Sequence, residues 1–344
     1  MKTDTIFNIR RIFFVLGTAC NFNCVYCVQH ENKPRCKKLI KQDVIDWLAD
    51  IAYQMPLRLK PEICFYGGEP LLYRESMRQI VDRFGEDFNY IIFSNGSNLT
   101  ELDVDWINNH QIKFVLSNDG RNTIATRGFN MLEDQEFVEK FKRIKKKQIL
   151  LVHSAASLNL DKEFEYIENK VPGIEIYAED LMCNSTTPKE LVEFDPQSLW
   201  DSYQNMFNQF LNKANTNAAR RYGGYMMRAH KCITIEKEFP DYGTCGSGKH
   251  VISVDTDGNV YLCKNFNVKI GTVKTPYPEL TQKAKEITKQ LRDENLKNKG
   301  CFECGVFYFC RGGCPFEKSS DLQKKKCDML RIKWSNVIEH YERG

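Results

Sequence analysis

The sequence predicts an α/β protein built on a parallel sheet that coils into a partial (β/α)6 barrel, and three observations carry that expectation. Six short runs rich in β-branched and aromatic residues, at 12–16, 62–66, 90–93, 113–116, 149–152 and 174–177, read as buried strands. Between them, 41–53, 76–84, 102–108, 134–147 and 162–169 carry apolar residues at helical spacing. The third observation is the alternation itself: consecutive parallel strands need a crossover, and a helix supplies it. Such a barrel collects its ligands at the carboxyl ends of the strands, so the residues just past each strand are the candidate site.

After Tyr177 the pattern changes. A helix is expected over 198–213 and a polar link over 215–221; from Lys231 onward cysteines and glycines accumulate, and 327–343 reads as a terminal helix. The expected organisation is a barrel over 1–185, a helical linker over 186–230 and a cysteine-rich domain ending in a helix over 231–344. That last domain is short of apolar periodicity, so bound metal is expected to order it.

Composition narrows the function. The 344 residues carry 49 Lys plus Arg against 45 Asp plus Glu, a net +4. This is too mild a charge for a nucleic-acid binder. No apolar run reaches the length of about 18 residues that a membrane span needs, and residues 1–11 lack the apolar stretch of a signal peptide. A cytoplasmic protein is expected, with neither nucleic acid nor membrane as partner. Its 14 cysteines then call for metal, because thiols in that compartment stay reduced.

The first cysteine group is Cys20-Asn21-Phe22-Asn23-Cys24-Val25-Tyr26-Cys27, directly after the first strand. Three thiolates at C-x3-C-x2-C spacing can ligate three irons of a cubane cluster and leave the fourth iron open to a small molecule. The alternative is a zinc loop that borrows His30 as its fourth ligand. This loop, with an aromatic before its last cysteine and at the end of the first strand, resembles that of the radical S-adenosylmethionine superfamily. Tyr66-Gly67-Gly68-Glu69-Pro70 resembles the superfamily's Gly-Gly-Glu-Pro segment, Ser94-Asn95-Gly96 its Thr-Asn-Gly, and Ser117-Asn118-Asp119-Gly120 the Ser-x-Asp-Gly of peptide-modifying members.

The resemblance implies a TIM-like partial barrel in which Cys20, Cys24 and Cys27 hold a 4Fe-4S cluster that binds S-adenosylmethionine. Tyr26, Gly67, Gly68, Glu69, Ser94, Asn95 and Ser117 would contact the cofactor, with the Glu69 carboxylate on the methionine ammonium. Reductive cleavage would give a 5'-deoxyadenosyl radical, with flavodoxin or ferredoxin as electron donor. Arg127 falls where many relatives carry an arginine.

A second group runs Cys245-x12-Gly258-x4-Cys263, then Cys301-x2-Cys304-x5-Cys310-x3-Cys314, then Cys327. Residues 254–261 read as a hairpin with an Asp-Gly turn that would bring Cys245 and Cys263 together. The seven spacings resemble the SPASM extension of the superfamily, a small iron–sulfur domain with two auxiliary 4Fe-4S clusters. By order, Cys245, Cys263 and Cys314 would hold the first, and Cys301, Cys304, Cys310 and Cys327 the second. Cys232 is the nearby candidate for the fourth ligand of the first, its alternative being a core cysteine; two zinc ribbons could use the same thiols. Cys64 is expected in the core, with Cys36 and Cys183 as free thiols. His153, Ser154 and 177–180 close two strands and are expected to pack or meet solvent.

SPASM members that resemble this chain modify peptides or proteins, so the expected substrate is a ribosomally made peptide that is crosslinked or oxidised. Only 19 residues precede Cys20, too few for a leader-binding domain, which either transfers leader binding to a separate leader-binding protein or favours another substrate. Sulfatase-maturase-type formylglycine formation is an alternative, but 220–224, Arg-Arg-Tyr-Gly-Gly, lacks the Asp proposed as base in those enzymes. Dehydrogenation or rearrangement of a small molecule stays open, as does a non-enzymatic iron–sulfur or zinc module.

Overall fold

In the computed structural model, which describes residues 9–30, 39–55, 60–234, 246–317 and 320–343, the chain lays down its sheet one neighbour at a time. β1 (Arg11–Val15), β2 (Glu62–Tyr66), β3 (Asn89–Ser94), β4 (Lys113–Ser117), β5 (Lys147–His153) and β6 (Glu175–Asp180) pair in parallel in that order. The crossovers are α1 (Gln42–Gln54), α2 (Arg74–Phe84), α3 (Glu101–Asn109), then α4 (Thr123–Arg127) with α5 (Gln135–Arg143), and α6 (Leu160–Lys170). Alternation along each strand sorts the faces. Ile12, Phe14, Ile63, Phe65, Ile92, Phe114 and Ile149 pack into the main core with the helices, whereas Phe13, Cys64, Ile91 and Val115 form a second cluster on the opposite, inner face.

Local chemistry sets the helix limits. α3 starts at a capping box, Thr100 with Asp103, and Asp103 also takes Arg74, which outweighs burial and holds its carboxyl below the usual range. α5 starts on the Asp134 side chain and stops at Ile144, whose backbone is extended. The helix expected over 134–147 is therefore shorter, because Lys147 is already in β5 and paired with Phe114.

The larger difference lies beyond β6. α7 (Pro196–Leu211) is capped by Asp195 and forms a hairpin with α8 (Asn217–Thr234), which takes in most of the expected polar link. Apolar spacing continues through that segment at Ala218, Tyr222, Tyr225 and Ala229, all buried, between surface arginines. β7 (Val251–Asp255) then pairs in parallel with β1, and β8 (Asn259–Cys263) and β9 (Phe266–Thr272) follow antiparallel. The result is one nine-stranded sheet in the order β6-β5-β4-β3-β2-β1-β7-β8-β9.

The cysteine-rich part thus borrows the barrel's sheet edge. Ile252, Val254, Val260, Leu262 and Ile270 join the main core, together with Leu280 and Ala284 of α9 (Tyr277–Asn298) and Phe309 of α10 (Phe307–Cys310). Its order has an apolar source as well as any metal it binds, contrary to the expectation from composition. α11 (Asp321–Arg343) closes the molecule, with Lys333 on Asp180 at 2.7 Å and Asn336 accepting from the Tyr222 hydroxyl at 2.7 Å. Among the described residues no helix is long and apolar enough to cross a membrane.

Candidate active site and thiol clusters

Past β1 the chain turns through Gly17 to Ala19 before reaching Cys20, and the segment after β2 lies directly on this turn. The Gly68 amide donates to Gly17 O at 2.8 Å and the Glu69 amide to Ala19 O at 2.9 Å. Gly67 has φ +134°, and a Cβ there would stand 2.2 Å from Gly17 O; at Gly68 it would stand 2.0 Å from Ala19 O. Two backbones meet here, so the pair must be glycine. The Tyr73 hydroxyl accepts from the Ala19 amide at 2.9 Å and pins the same turn.

Glu69 is buried and accepts from the Leu71 amide (3.0 Å), the Ser94 hydroxyl (2.7 Å) and the Asn95 amide (2.8 Å). Burial nonetheless pushes its carboxyl above the ordinary value, against those three donors and Arg74. A cation in the cavity would lower it again, so the site suits an ammonium. Asn95 carries the linkage to the cysteine loop through Asn21 Oδ1 at 3.0 Å.

On the other side of the loop Asp119 organises a buried network; the sequence singled out Tyr26, the Ser117–Gly120 motif and Arg127 one by one, but not that they bond to one another. Asp119 accepts from Arg127 Nε and Nη2 (3.0 and 3.2 Å), Thr126 Oγ1 (2.7 Å), the Val152 amide (3.0 Å) and the Tyr26 hydroxyl. The guanidinium also stands 5.4 Å over the Tyr26 ring and 4.0 Å from Cys24 Sγ. Burial opposes the charge of Arg127, but Asp119 and Tyr26 outweigh it and keep it a cation. Burial pushes the Cys24 thiol up to about 11, with Arg127 pulling down and Cys27, Asp119 and Cys20 pushing up. A bound metal ion removes that proton, as thiolate ligation requires.

These elements surround one cavity of about 190 Å³. Cys20, Cys24, Cys27, Tyr26, Gly67, Gly68, Glu69, Ser94, Asn95 and Ser117, taken from the ends of four strands, all line it. Two further lining residues, Lys264 and Asn265, come from the tight turn between β8 and β9 and follow Cys263. Lys264 Nζ lies 4.6, 4.5 and 5.3 Å from the centroids of Phe13, Tyr66 and Phe93. Contacts of this kind contribute about 0.5–2 kcal/mol and offset part of the ammonium's desolvation. No spacing rule marks Lys264; only the pairing of β7 with β1 brings it there. His153 is buried, 3.7 Å from Asp180, and so belongs to the packing beneath α11.

The C-terminal thiols fall into two groups. Cys301, Cys304, Cys310 and Cys327 line one small cavity with Lys326 and Glu317, a buried ion pair at 2.7 Å, and Gln323 Nε2 donates to Cys327 Sγ at 2.9 Å. Cys263 and Cys314 are electrostatic neighbours, and burial is the main push on Cys314 to about 12. Cys232 is buried in α8, outside that four-thiol cavity, with Arg311 Nη2 at 3.5 Å from its sulfur. Cys64 sits in the inner core, Cys183 is buried, and Cys245 and Cys36 lie outside the described residues.

Among the described residues no three Cys, His, Asp or Glu side chains converge closely enough to hold a single metal ion. Tetrahedral zinc, with sulfur about 2.3 Å from the ion, needs that convergence. A cuboidal cluster takes one thiolate per iron and does not.

The chain is similar to known proteins in the same terms. It is 19% identical to the radical SAM cyclopropyl synthase TigE of Paramaledivibacter caminithermalis, over 98% of this chain and 76% of that protein. It also matches an uncharacterized protein of Methanocaldococcus jannaschii, MJ0907, at 29% identity over 33% of this chain and 39% of that one. Its fold resembles native anSMEcpe with bound AdoMet and Cp18Cys peptide, with a TM-score of 0.73 and 17% identity over 97% of this chain and 99% of that one. Streptococcus suis SuiB bound to its precursor peptide SuiA superposes with a TM-score of 0.62 and 16% identity, over 93% and 77%. Residues 14–173, from β1 through α6, match the Radical SAM superfamily.

Proposed function

We propose that this chain is a radical SAM enzyme that takes a hydrogen atom from a peptide substrate, leading to a crosslink or another oxidation. The observation that carries this reading is the single cavity in which the three loop cysteines, the Glu69 carboxylate and the ends of β2, β3 and β4 meet. Cluster and S-adenosylmethionine, when bound, supply a 5'-deoxyadenosyl radical. The chain's own residues do the rest. Glu69 receives the methionine ammonium, Ser94 and Asn95 hold Glu69 in place, and Asp119 with Arg127 fixes Tyr26 and the cysteine loop. Phe93, Leu150 and Val152 on the cavity wall exclude water.

Peptide as the substrate class is supported by two relatives in fold whose structures contain peptides, the Cp18Cys peptide with anSMEcpe and SuiA with SuiB. For the C-terminal part we propose two auxiliary clusters. Cys301, Cys304, Cys310 and Cys327 would hold one; Cys263, Cys314 and Cys245 would hold the other, next to the turn that presents Lys264. They would accept the electron left on the substrate, and a flavodoxin or ferredoxin would feed the first cluster.

Anaerobic reconstitution tests the proposal. About 12 irons per chain, 5'-deoxyadenosine formed under dithionite, and loss of two hydrogens from a peptide encoded beside the gene are expected. A colourless zinc protein overturns it, and turnover of small molecules with no peptide response moves the substrate class.

A further inference from the structure

The floor of the cavity holds a charge that the cofactor reading does not use. Phe13, Tyr66 and Phe93, from three adjacent strands, form a triangle of rings with centroids 5.7, 6.0 and 6.0 Å apart. Lys264 Nζ stands over all three. The turn that carries it is fixed, since Gln29 Nε2 donates to Lys264 O at 2.9 Å and the Tyr66 hydroxyl donates to Asn265 Oδ1 at 3.1 Å. The ammonium is thus aimed by the backbone as well as by its stem.

Ring faces attract the charge of an ammonium but leave its three N–H donors to find acceptors elsewhere. Among the described residues no carboxylate stands within ion-pair distance of Lys264, which borders open cavity; Glu179 lines the same cavity and acts on the ammonium only from further off. A cation held on apolar rings, with donors facing a cavity, is complementary to a carboxylate. Two carboxylates can reach this cavity, one on S-adenosylmethionine and one on the substrate. The methionine end of the cofactor belongs at the rim, where Glu69, Ser94 and Asn95 follow the strands and Arg127 stands beside Cys24. The Lys264 tray joins that rim through Tyr66 and Phe93, which directly precede Gly67 and Ser94, and reaches back to Phe13 within β1, away from Glu69 and Arg127 in the chain's own order of strands.

We propose that Lys264 binds a carboxylate of the substrate, an Asp or Glu side chain or a chain terminus close to the residue that loses hydrogen. The assignment rests on the peptide reading above, and it makes the enzyme selective for acidic sequences. The test is equilibrium dialysis of the reconstituted enzyme with S-adenosylmethionine against two pools of capped pentapeptides, read by mass spectrometry. One pool carries Asp or Glu at its centre, the other Asn or Gln, with neutral residues elsewhere.

The acidic pool is expected to be retained about tenfold more strongly. Lys264→Gln brings the ratio to about one, whereas Lys264→Arg, which keeps the charge, preserves the preference and excludes simple misfolding. Equal retention of both pools by the natural enzyme overturns the role of Lys264 and leaves the peptide reading standing. Retention of neither pool overturns the peptide reading and this assignment with it. If Lys264→Gln instead weakens S-adenosylmethionine binding without peptide and keeps the acidic preference, the contact belongs to the cofactor and the assignment falls.

Discussion

Asp119→Ala removes the one acceptor shared by Arg127 Nε and Nη2, Thr126 Oγ1, the Val152 amide and the Tyr26 hydroxyl. Arg127 is only 8% exposed, so the substitution leaves a guanidinium buried without a counter-charge. Breaking such a pair costs about 3–5 kcal/mol, a fifth or more of the roughly 5–15 kcal/mol that holds a domain folded. The orphaned amide and hydroxyls act in the same direction, though not additively. Urea denaturation of the apo-protein under nitrogen reads the loss as a lower midpoint at constant slope. Arg127→Met in the Asp119→Ala background recovers part of it, because the charge that was stranded is gone. Thr126 O accepts from the Val25 amide at 2.9 Å inside the cysteine loop, so iron retention falls along with stability. A loss below about 1 kcal/mol, or strictly additive effects of the two substitutions, refutes the claim that Asp119 and Arg127 act as one unit.

Three further predictions rest on backbone contacts and on the Asp180–Lys333 ion pair. Gly68→Ala forces a Cβ to within 2.0 Å of Ala19 O, a backbone atom that cannot swing aside. We expect a loss at the upper end of the roughly 1–3 kcal/mol typical of overpacking, with reduced iron at the first site. Gly224→Ala in α8, where a Cβ meets nothing within 4 Å, instead gains about 0.4–1 kcal/mol in the same denaturation assay. Asp180 contributes an acid limb to stability. Burial works against its charge, but Lys333 and then His153 outweigh this and hold its carboxyl well below the usual value. With the folded value depressed, the stabilisation is fully present above the unfolded value of about 3.9. It is lost as pH falls through the folded value, and a midpoint-versus-pH series for Asp180→Asn should flatten in that acid range alone.

What the sequence disclosed of the site was what close chain neighbours and turn chemistry encode. Three cysteines in one loop, two glycines before a buried glutamate and an Asn-Gly after β3 are local patterns, and each lies where a strand end puts it. The strands were legible as apolar runs, but which face of each meets the helices was not, as at Ile12 and Phe14 against Phe13, where every residue is apolar. The missed parts depend on contacts far apart in sequence. Nothing around Val251–Asp255 states that this strand will pair with β1 rather than start an independent sheet. Lys264 therefore reaches Phe13 across 251 positions of chain only in the folded state. Arg127 and Tyr26 were readable as residues but not as partners, because their shared acceptor, Asp119, doubles as a generic turn residue. In α8 the expected polar link over 215–221 gives way to helix from Asn217, and the helix carries Gly223-Gly224 because Tyr222 and Tyr225 are anchored in the core.

For the fourth ligand of the first auxiliary cluster proposed above, residue identity alone leaves two outcomes, and the surroundings of Cys232 favour one of them. Cys232 has the right residue type and sits a short distance before Cys245 in the chain. Its sulfur, however, is buried on the core side of α8 and receives Arg311 Nη2 at 3.5 Å. The sulfur there already has a hydrogen-bond donor without any iron. Cys314 instead faces Cys263, and both follow elements fixed to the barrel, the β8 strand and the loop that Glu317 anchors to Lys326. We therefore expect Cys314→Ala to lower the iron content by about four atoms, one cluster, with the matching loss of visible absorbance. Cys232→Ala should keep the iron and shift the urea midpoint only slightly, as the loss of one small core group does. If Cys232→Ala releases as much iron as Cys314→Ala, then α8 supplies the fourth ligand. The Arg311 contact would in that case be a donor to a bound cluster rather than the partner of a free thiol.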